Sequence, residues 1–172
     1  MHLDSILALQ TLSTILDWAE EEDQRRGMKW LVDAEDKYGR SPAMLAAYGG
    51  YVECLKLLAG RGGCDLRHRD NEGTCALHWA AIRGHLDSVG LILDAGDAFV
   101  NSVGTALTRE TRELVGGAEQ FTALDCAVCR EHHEVARRLL GRGGVTVAAL
   151  RDAAAVKIQA FFRGAVIRDG AA

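Results

Sequence analysis

Gly39-Arg-Ser-Pro-Ala-Met-Leu-Ala46-Ala47-Tyr-Gly-Gly50-Tyr-Val-Glu53 returns 34 residues later as Gly73-Thr-Cys-Ala-Leu-His-Trp-Ala80-Ala81-Ile-Arg-Gly84-His-Leu-Asp87. Leu57-Leu58 then falls on Leu91-Ile92. A third copy, Thr122-Ala-Leu-Asp-Cys-Ala127-Val128-Cys-Arg-Glu131-His-His-Glu134-Val, lies 47 further on, an offset of 34 enlarged by 13 inserted residues. The insertion belongs to residues 102–118, where Gly104, Gly116 and Gly117 flank a polar stretch. Unrelated helical hairpins would not coincide at eight or more positions under one offset. Such self-similarity is the signature of a repeat architecture.

Each copy has the same physical logic. A turn glycine opens it at Gly39 and Gly73, with Gln120 in that place in the third copy. A short helix follows, whose paired small residues, Ala46-Ala47 and Ala80-Ala81 in the first two copies, let neighbouring helices approach closely. Gly50 and Gly84 stop that helix, and Glu131 holds the corresponding place. A second helix then presents Leu55, Leu57 and Leu58, or Val89, Leu91, Ile92 and Leu93, to the layer behind. Neither helix can bury its apolar face alone, so stability comes from stacking.

Composition agrees. The chain has 172 residues, one domain's worth with room for an appendage. Its apolar share of 48% is enough for a packed core, while 6% aromatics and a single proline, Pro42, suit thin alanine-rich helices better than a β-sandwich. The longest uncharged stretches, residues 5–16 and 41–52, are too short for a membrane span of about 20 residues. Asp4 stands where a secretory leader would carry positive charge. Five scattered cysteines (Cys54, Cys64, Cys75, Cys126, Cys129) suggest reduced thiols in the cytoplasm. The net charge of −4 is too mild to argue for nucleic acid. It is uneven, however: the last 22 residues carry +2, which leaves −6 on the body.

The repeated residues resemble the ankyrin repeat, with its pattern G-x-T-P-L-H-x-A-A-x-x-G-H-x-E. Gly39, Ser41, Pro42, Ala46, Ala47, Gly50 and Glu53 carry the match in the first copy. Gly73, Leu77, His78, Ala80, Ala81, Gly84, His85 and Asp87 carry it in the second, and Thr122, Leu124, Ala127, His132 and Glu134 in the third. The resemblance implies an all-α ankyrin solenoid followed by a C-terminal helix. Its expected division is a divergent N-terminal helical cap over 1–35, repeats over 36–69 and 70–101, an inserted loop over 102–118, a third repeat over 119–146, and a helix over 147–170.

Ankyrin arrays are scaffolds, and the resemblance implies where a partner would meet this one. The family's variable positions, on hairpin tips and the exposed edge of each first helix, correspond to Lys37, Tyr38, Arg40 and Tyr48 in the first copy. They correspond to Asn71, Glu72, Thr74, Ile82 and Arg83 in the second, and to Phe121, Cys129 and Arg130 in the third. Exposed aromatic and arginine side chains on one concave face would make contact anchors. Asn101, after Val100, stands where ankyrin repeats can be hydroxylated on asparagine.

The tail holds a second motif, Ile158-Gln159-Ala-Phe161-Phe162-Arg163-Gly164-Ala-Val166-Ile167-Arg168. It resembles the calmodulin-binding IQ motif I-Q-x-x-x-R-G-x-x-x-R at every defining position. Alanine-rich residues from 147 onward favour a helix around it. Ile158, Phe161, Phe162 and Ile167 supply apolar anchors for a methionine-rich groove, and Arg163 and Arg168 supply charge for an acidic partner. Gly164 admits close approach. The resemblance implies that Ile158, Gln159 and Arg163 engage one lobe of calmodulin or a calmodulin-like protein, and Gly164 and Arg168 the other. The alternative is a helix that only caps the last repeat through Leu150 and Val156. The order of parts, Thr122-Ala-Leu-Asp-Cys-Ala127 to Val135 and then Val147 to Ala160, resembles the ankyrin–IQ junction of the inversin family, which implies a non-enzymatic scaffold at a cilium or the cytoskeleton.

A rival class rests on Cys126-x-x-Cys129 followed by His132-His133, a spacing that invites zinc or redox chemistry. The motif lies on the first helix of a repeat, without the βαβ setting of a thioredoxin-like site, and structural zinc ligands normally come from turns. Ordinary repeat thiols are the expectation, with no catalytic residue, no metal and no cofactor. Gly60-Arg-Gly-Gly63 lacks the sequence of a phosphate loop.

Overall fold

A computed structural model describes residues 34–60, 64–96 and 100–152, together with Gln10, Thr14 and Val32. The motif at 158–168 and nearly all of the expected N-terminal cap lie outside the described residues.

The described residues form three helix pairs. The inner helices are α1 (Pro42–Gly49), α3 (Ala76–Arg83) and α6 (Ala123–Cys129); the outer ones are α2 (Val52–Gly60), α4 (Leu86–Asp94) and α7 (His133–Gly141). Between the second and third pairs lie β1 (Gly104–Thr105), α5 (Arg109–Leu114) and β2 (Gln120–Phe121), with β1 and β2 antiparallel. Inner helices pack on inner helices and outer on outer, giving two layers. Ala46, Ala47, Ala80, Ala81 and Ala127 are all buried where the inner layer is tightest. Leu55, Leu58, Val89, Ile92, Leu93, Val135 and Leu139 fill the space between layers. Each contributes about 1.5–3 kcal/mol of apolar burial.

The inner helices start and stop by rule. Pro42 occupies the first turn of α1, where its missing N–H costs nothing. Gly50 and Gly84 end α1 and α3 in the left-handed conformation, at φ 71° and 73°. The next repeat then seals each stop. His85 Nε2 lies 3.1 Å from the Tyr48 carbonyl and His132 Nε2 lies 3.1 Å from the Ile82 carbonyl. A β-carbon on Gly50 or Gly84 would come within 2.7 or 2.6 Å of those imidazoles. Each stop therefore needs glycine twice, for its φ and for its neighbour.

Hairpin fingers project from the inner helices. In the first, Asp36 N–H donates to the Arg40 carbonyl and Gly39 N–H to the Asp36 carbonyl; in the second, Asp70, Thr74 and Gly73 repeat the pattern. The fingers are also joined to one another, Asn71 N–H to the Tyr38 carbonyl and Thr105 N–H to the Glu72 carbonyl. The third finger is the two-stranded pair β1–β2, and its tip is enlarged by the insertion that carries α5. This explains Gln120: with the tight turn gone, its position is strand and asks for no positive φ.

Candidate partner-binding face

The sequence-derived candidates divide by exposure. Tyr38 and Tyr48 are exposed, as are Lys37, Asn71, Arg83, Cys129 and Arg130; Arg40 and Glu72 are half-buried. Thr74, Ile82 and Phe121 are not surface contacts but core. Thr74 is buried because its hydroxyl donates to the Asp70 carboxylate inside the finger. Ile82 lies on the central inner helix, covered by the helices on both sides, whereas Tyr48 in the same register is on the first described one. Phe121 turns inward on β2 opposite Gly104, which has no side chain to obstruct it, and meets the His78 ring edge-on at 5.5 Å.

Of these candidates, Tyr38, Arg40, Tyr48, Asn71 and Glu72 line a groove of about 520 Å³ between the first two fingers and the insertion, whereas Lys37, Arg83, Cys129 and Arg130 lie outside it. Tyr38, Arg40, Tyr48, Trp79, Asp70, Asn71 and Glu72 form one side, and Leu107, Thr108, Glu110, Thr111 and Leu114 the other. Tyr48 and Trp79 meet edge-to-face, their centroids 5.5 Å apart. Trp79 is anchored by its indole N–H, which donates to Asp70 Oδ2 at 3.2 Å. Arg40 is held by Asp36 through a 2.8 Å hydrogen bond from Nε, which keeps the Asp36 carboxyl below its ordinary range. Leu107 is 65% exposed at the rim.

The insertion is tied down at its base. Thr108 caps α5 by accepting the Thr111 N–H, and its own N–H donates to Glu72 Oε1 at 3.1 Å. Gly116 brings the insertion against Cys129, whose Sγ would lie 2.4 Å from a β-carbon there. Trp79, Asp70 and the whole insertion wall escaped the sequence reading. The available signals were a tryptophan in the register of Leu45 and Cys126, and a lone leucine in a polar stretch.

The other candidates are structural in their placement. Asn101 bridges to the segment after α7: its Nδ2 donates to the Gly143 carbonyl and its Oδ1 accepts the Val145 N–H. His78 is fully buried; Nδ1 accepts the Cys75 N–H at 3.1 Å, lies 3.2 Å from Cys75 Sγ, and Nε2 meets the Ser102 carbonyl at 3.0 Å. Burial opposes charge on both members of this pair, but their proximity prevails, drawing the thiol below and the imidazole above its ordinary range. Cys126 is buried, which pushes its thiol well up and disfavours the thiolate that redox or metal chemistry needs. Cys129 is exposed, and His132 is used in the bridge to Ile82. Among the described residues, no three His, Cys, Asp or Glu side chains gather to hold a metal.

Comparison with known proteins matches this geometry. The family description "Ankyrin repeats (3 copies)" fits residues 13–103, more than half of the chain, and "Ankyrin repeat" fits residues 119–152. The chain belongs to the ankyrin-repeat family. It is 40% identical over 67 residues to human "Ankyrin repeat and SOCS box protein 3", covering 38% of this chain and 13% of that one. It is 39% identical over 56 residues to dog "Inversin", covering 33% of this chain and 5% of that one, and 41% identical over 58 residues to human "BCL-6 corepressor", covering 34% and 3%. The chain thus spans a small part of these much longer relatives. The ankyrin-repeat body has no helix, among the described residues, long and apolar enough to cross a membrane.

Proposed function

We propose that this ankyrin-repeat chain is a non-enzymatic adaptor: the groove between fingers and insertion receives a protein partner, and the C-terminal motif at 158–168 binds calmodulin or a calmodulin-like protein. The observation that carries the first part is the groove, where exposed Tyr38, Tyr48 and Leu107 stand around Trp79 on the two-layer stack. Aromatic anchors beside an apolar rim are the usual centre of a protein interface. Ankyrin-repeat proteins are in general interaction modules. A photo-crosslinker at Leu107 is expected to capture a partner, with capture lost in Tyr48→Glu; capture that survives that change would remove the groove from the interface.

Support for the second part is sequence: every defining position of the IQ pattern is filled, and the tail is basic. Calorimetric titration of the whole chain with calmodulin, with and without calcium, tests it. Binding is expected to be lost in the double variant Ile158→Ala, Arg163→Ala. No binding in either condition would remove the motif from the function. The alternative of a tail that caps the stack has its own support at the start of the helix. Residues 147–152 are helical, Val147 is buried with its N–H donating to Asp125 Oδ2 at 2.9 Å, and Arg151 donates to Gln120. The two roles are compatible: residues 147–152 cap the stack while the motif at 158–168 binds. A place near a cilium, suggested by the similarity to inversin, belongs to the same proposal and is tested by localising the tagged chain.

A further inference from the structure

The groove has an electrostatic character that its shape alone does not reveal. Asp70, Glu72 and Glu110 all face it, and none of them forms an ion pair among the described residues. The groove's own cation, Arg40, is neutralised by Asp36. Asp70 is fully engaged: Oδ1 accepts the Glu72 and Thr74 N–H groups, and Oδ2 accepts the Thr74 hydroxyl and the Trp79 indole. Glu72 is not. Its Oε1 takes the Thr108 N–H, but its Oε2 is buried with no hydrogen-bond partner among the described residues. An acceptor of this kind, removed from water and left open, is costly unless a donor arrives.

The rings beside it already carry positive charge. Arg40 Cζ lies 4.6 Å from the Tyr38 ring centroid, Lys37 Nζ 4.8 Å from the same ring, and Arg83 Cζ 5.0 Å from the Tyr48 ring. Three basic side chains of the chain itself therefore use these π-faces, and Lys37 and Arg83 do so from exposed positions that a ligand could displace.

We propose that the groove recognises a lysine or arginine side chain of the partner protein, its stem against Trp79 and Leu107, its charge met by Glu72 Oε2 and the tyrosine rings. This deepens, and rests on, the assignment of the groove as the partner site. Rim carboxylates favour such a ligand, and the apolar walls suit a long methylene stem.

The test uses the full chain and three capped pentapeptides, Gly-Leu-X-Leu-Gly with X lysine, arginine or norleucine, followed by the indole N–H signal of Trp79 in NMR. The lysine and arginine peptides are expected to shift that signal and to bind at least about tenfold more tightly than norleucine, a difference of about 1.4 kcal/mol. Glu72→Gln is expected to lower the affinity about fivefold while circular dichroism shows an unchanged melt, since the amide oxygen can still accept from Thr108. Equal binding of norleucine, or no shift with any peptide, overturns the proposal. Binding that appears only with Arg163→Glu and Arg168→Glu together overturns it too, because the basic tail of the chain would then be the occupant. Partner capture at Leu107 that persists without any preference for the cationic peptides would retain the adaptor function and remove the cation site.

Discussion

Ser41, Cys75 and Thr122 hold one place, the start of an inner helix, with three chemistries. The Thr122 hydroxyl accepts the Asp125 N–H at 3.3 Å and reaches the Asp125 carboxylate at 2.8 Å and the Val145 carbonyl at 2.9 Å. Cys75 shares His78 with its own backbone N–H. Ser41 is buried, and its Oγ has no partner among the described residues, because Met44 stands where His78 and Asp125 stand in the other repeats. Thr122→Ala is expected to destabilise by about 1–2 kcal/mol, whereas Ser41→Ala should fall within about 0.5 kcal/mol of zero. Urea denaturation distinguishes the two. The first finger makes a pH prediction. The Arg40 side chain holds the Asp36 carboxyl below its ordinary range, so its stabilising effect is complete above the unfolded value of about 4 and fades as pH falls through the lowered folded value. The stability gap between the native chain and Asp36→Asn, at most about 1 kcal/mol near neutrality, should close in acid; a gap independent of pH would exclude the ion pair as its source.

At the scale of elements, the helix stops show how a pattern survives a changed residue. Glu131 replaces glycine at the end of α6, yet it takes φ 59°, and His132 N–H donates to the Ala127 carbonyl as His85 N–H does to Ala80. Glu131→Gly should therefore stabilise by about 0.5–1 kcal/mol, by relieving a left-handed side-chain residue. Gly84→Ala should destabilise by about 1–3 kcal/mol, because the new methyl meets the His132 ring. Thermal melts of the two variants should move in opposite directions. The helices α1 and α3 were legible because their alanine pairs and stop glycines recur in register, and α6 because Thr122, Leu124, Ala127, His132 and Glu134 keep that register. The insertion helix α5 was not. Arg109-Glu-Thr-Arg-Glu-Leu has no apolar period to announce a helix, and its real signals are local: the Thr108 cap and the Arg109–Glu113 pair one turn apart. Phe121 was misplaced as well. Its register assigns it to the finger, where Thr74 in the same place is also buried, and on β2 it faces Gly104 and packs into the core.

Across the molecule, the repeat predicts which helices stack but not what closes the face they present. Exposed candidates on the first two fingers could be read from register, because tips of identical turns point the same way. The opposite wall of the groove could not, since it depends on how 13 extra residues fold back. One carboxylate joins the two walls. Glu72 Oε1 fastens the base of α5 while Oε2 stays open, so the fold and the groove's charge share a single side chain. Glu72→Ala should accordingly speed amide exchange at Thr108 and Thr111 about tenfold or more by loosening the insertion, while Glu72→Gln keeps the acceptor and leaves those rates nearly unchanged. Exchange mass spectrometry over residues 105–118 reads the difference. Mutational tolerance at this position is then set by two demands at once: a substitution that retunes the charge must still anchor α5, which leaves glutamine as the narrow route by which selectivity could drift without loss of architecture.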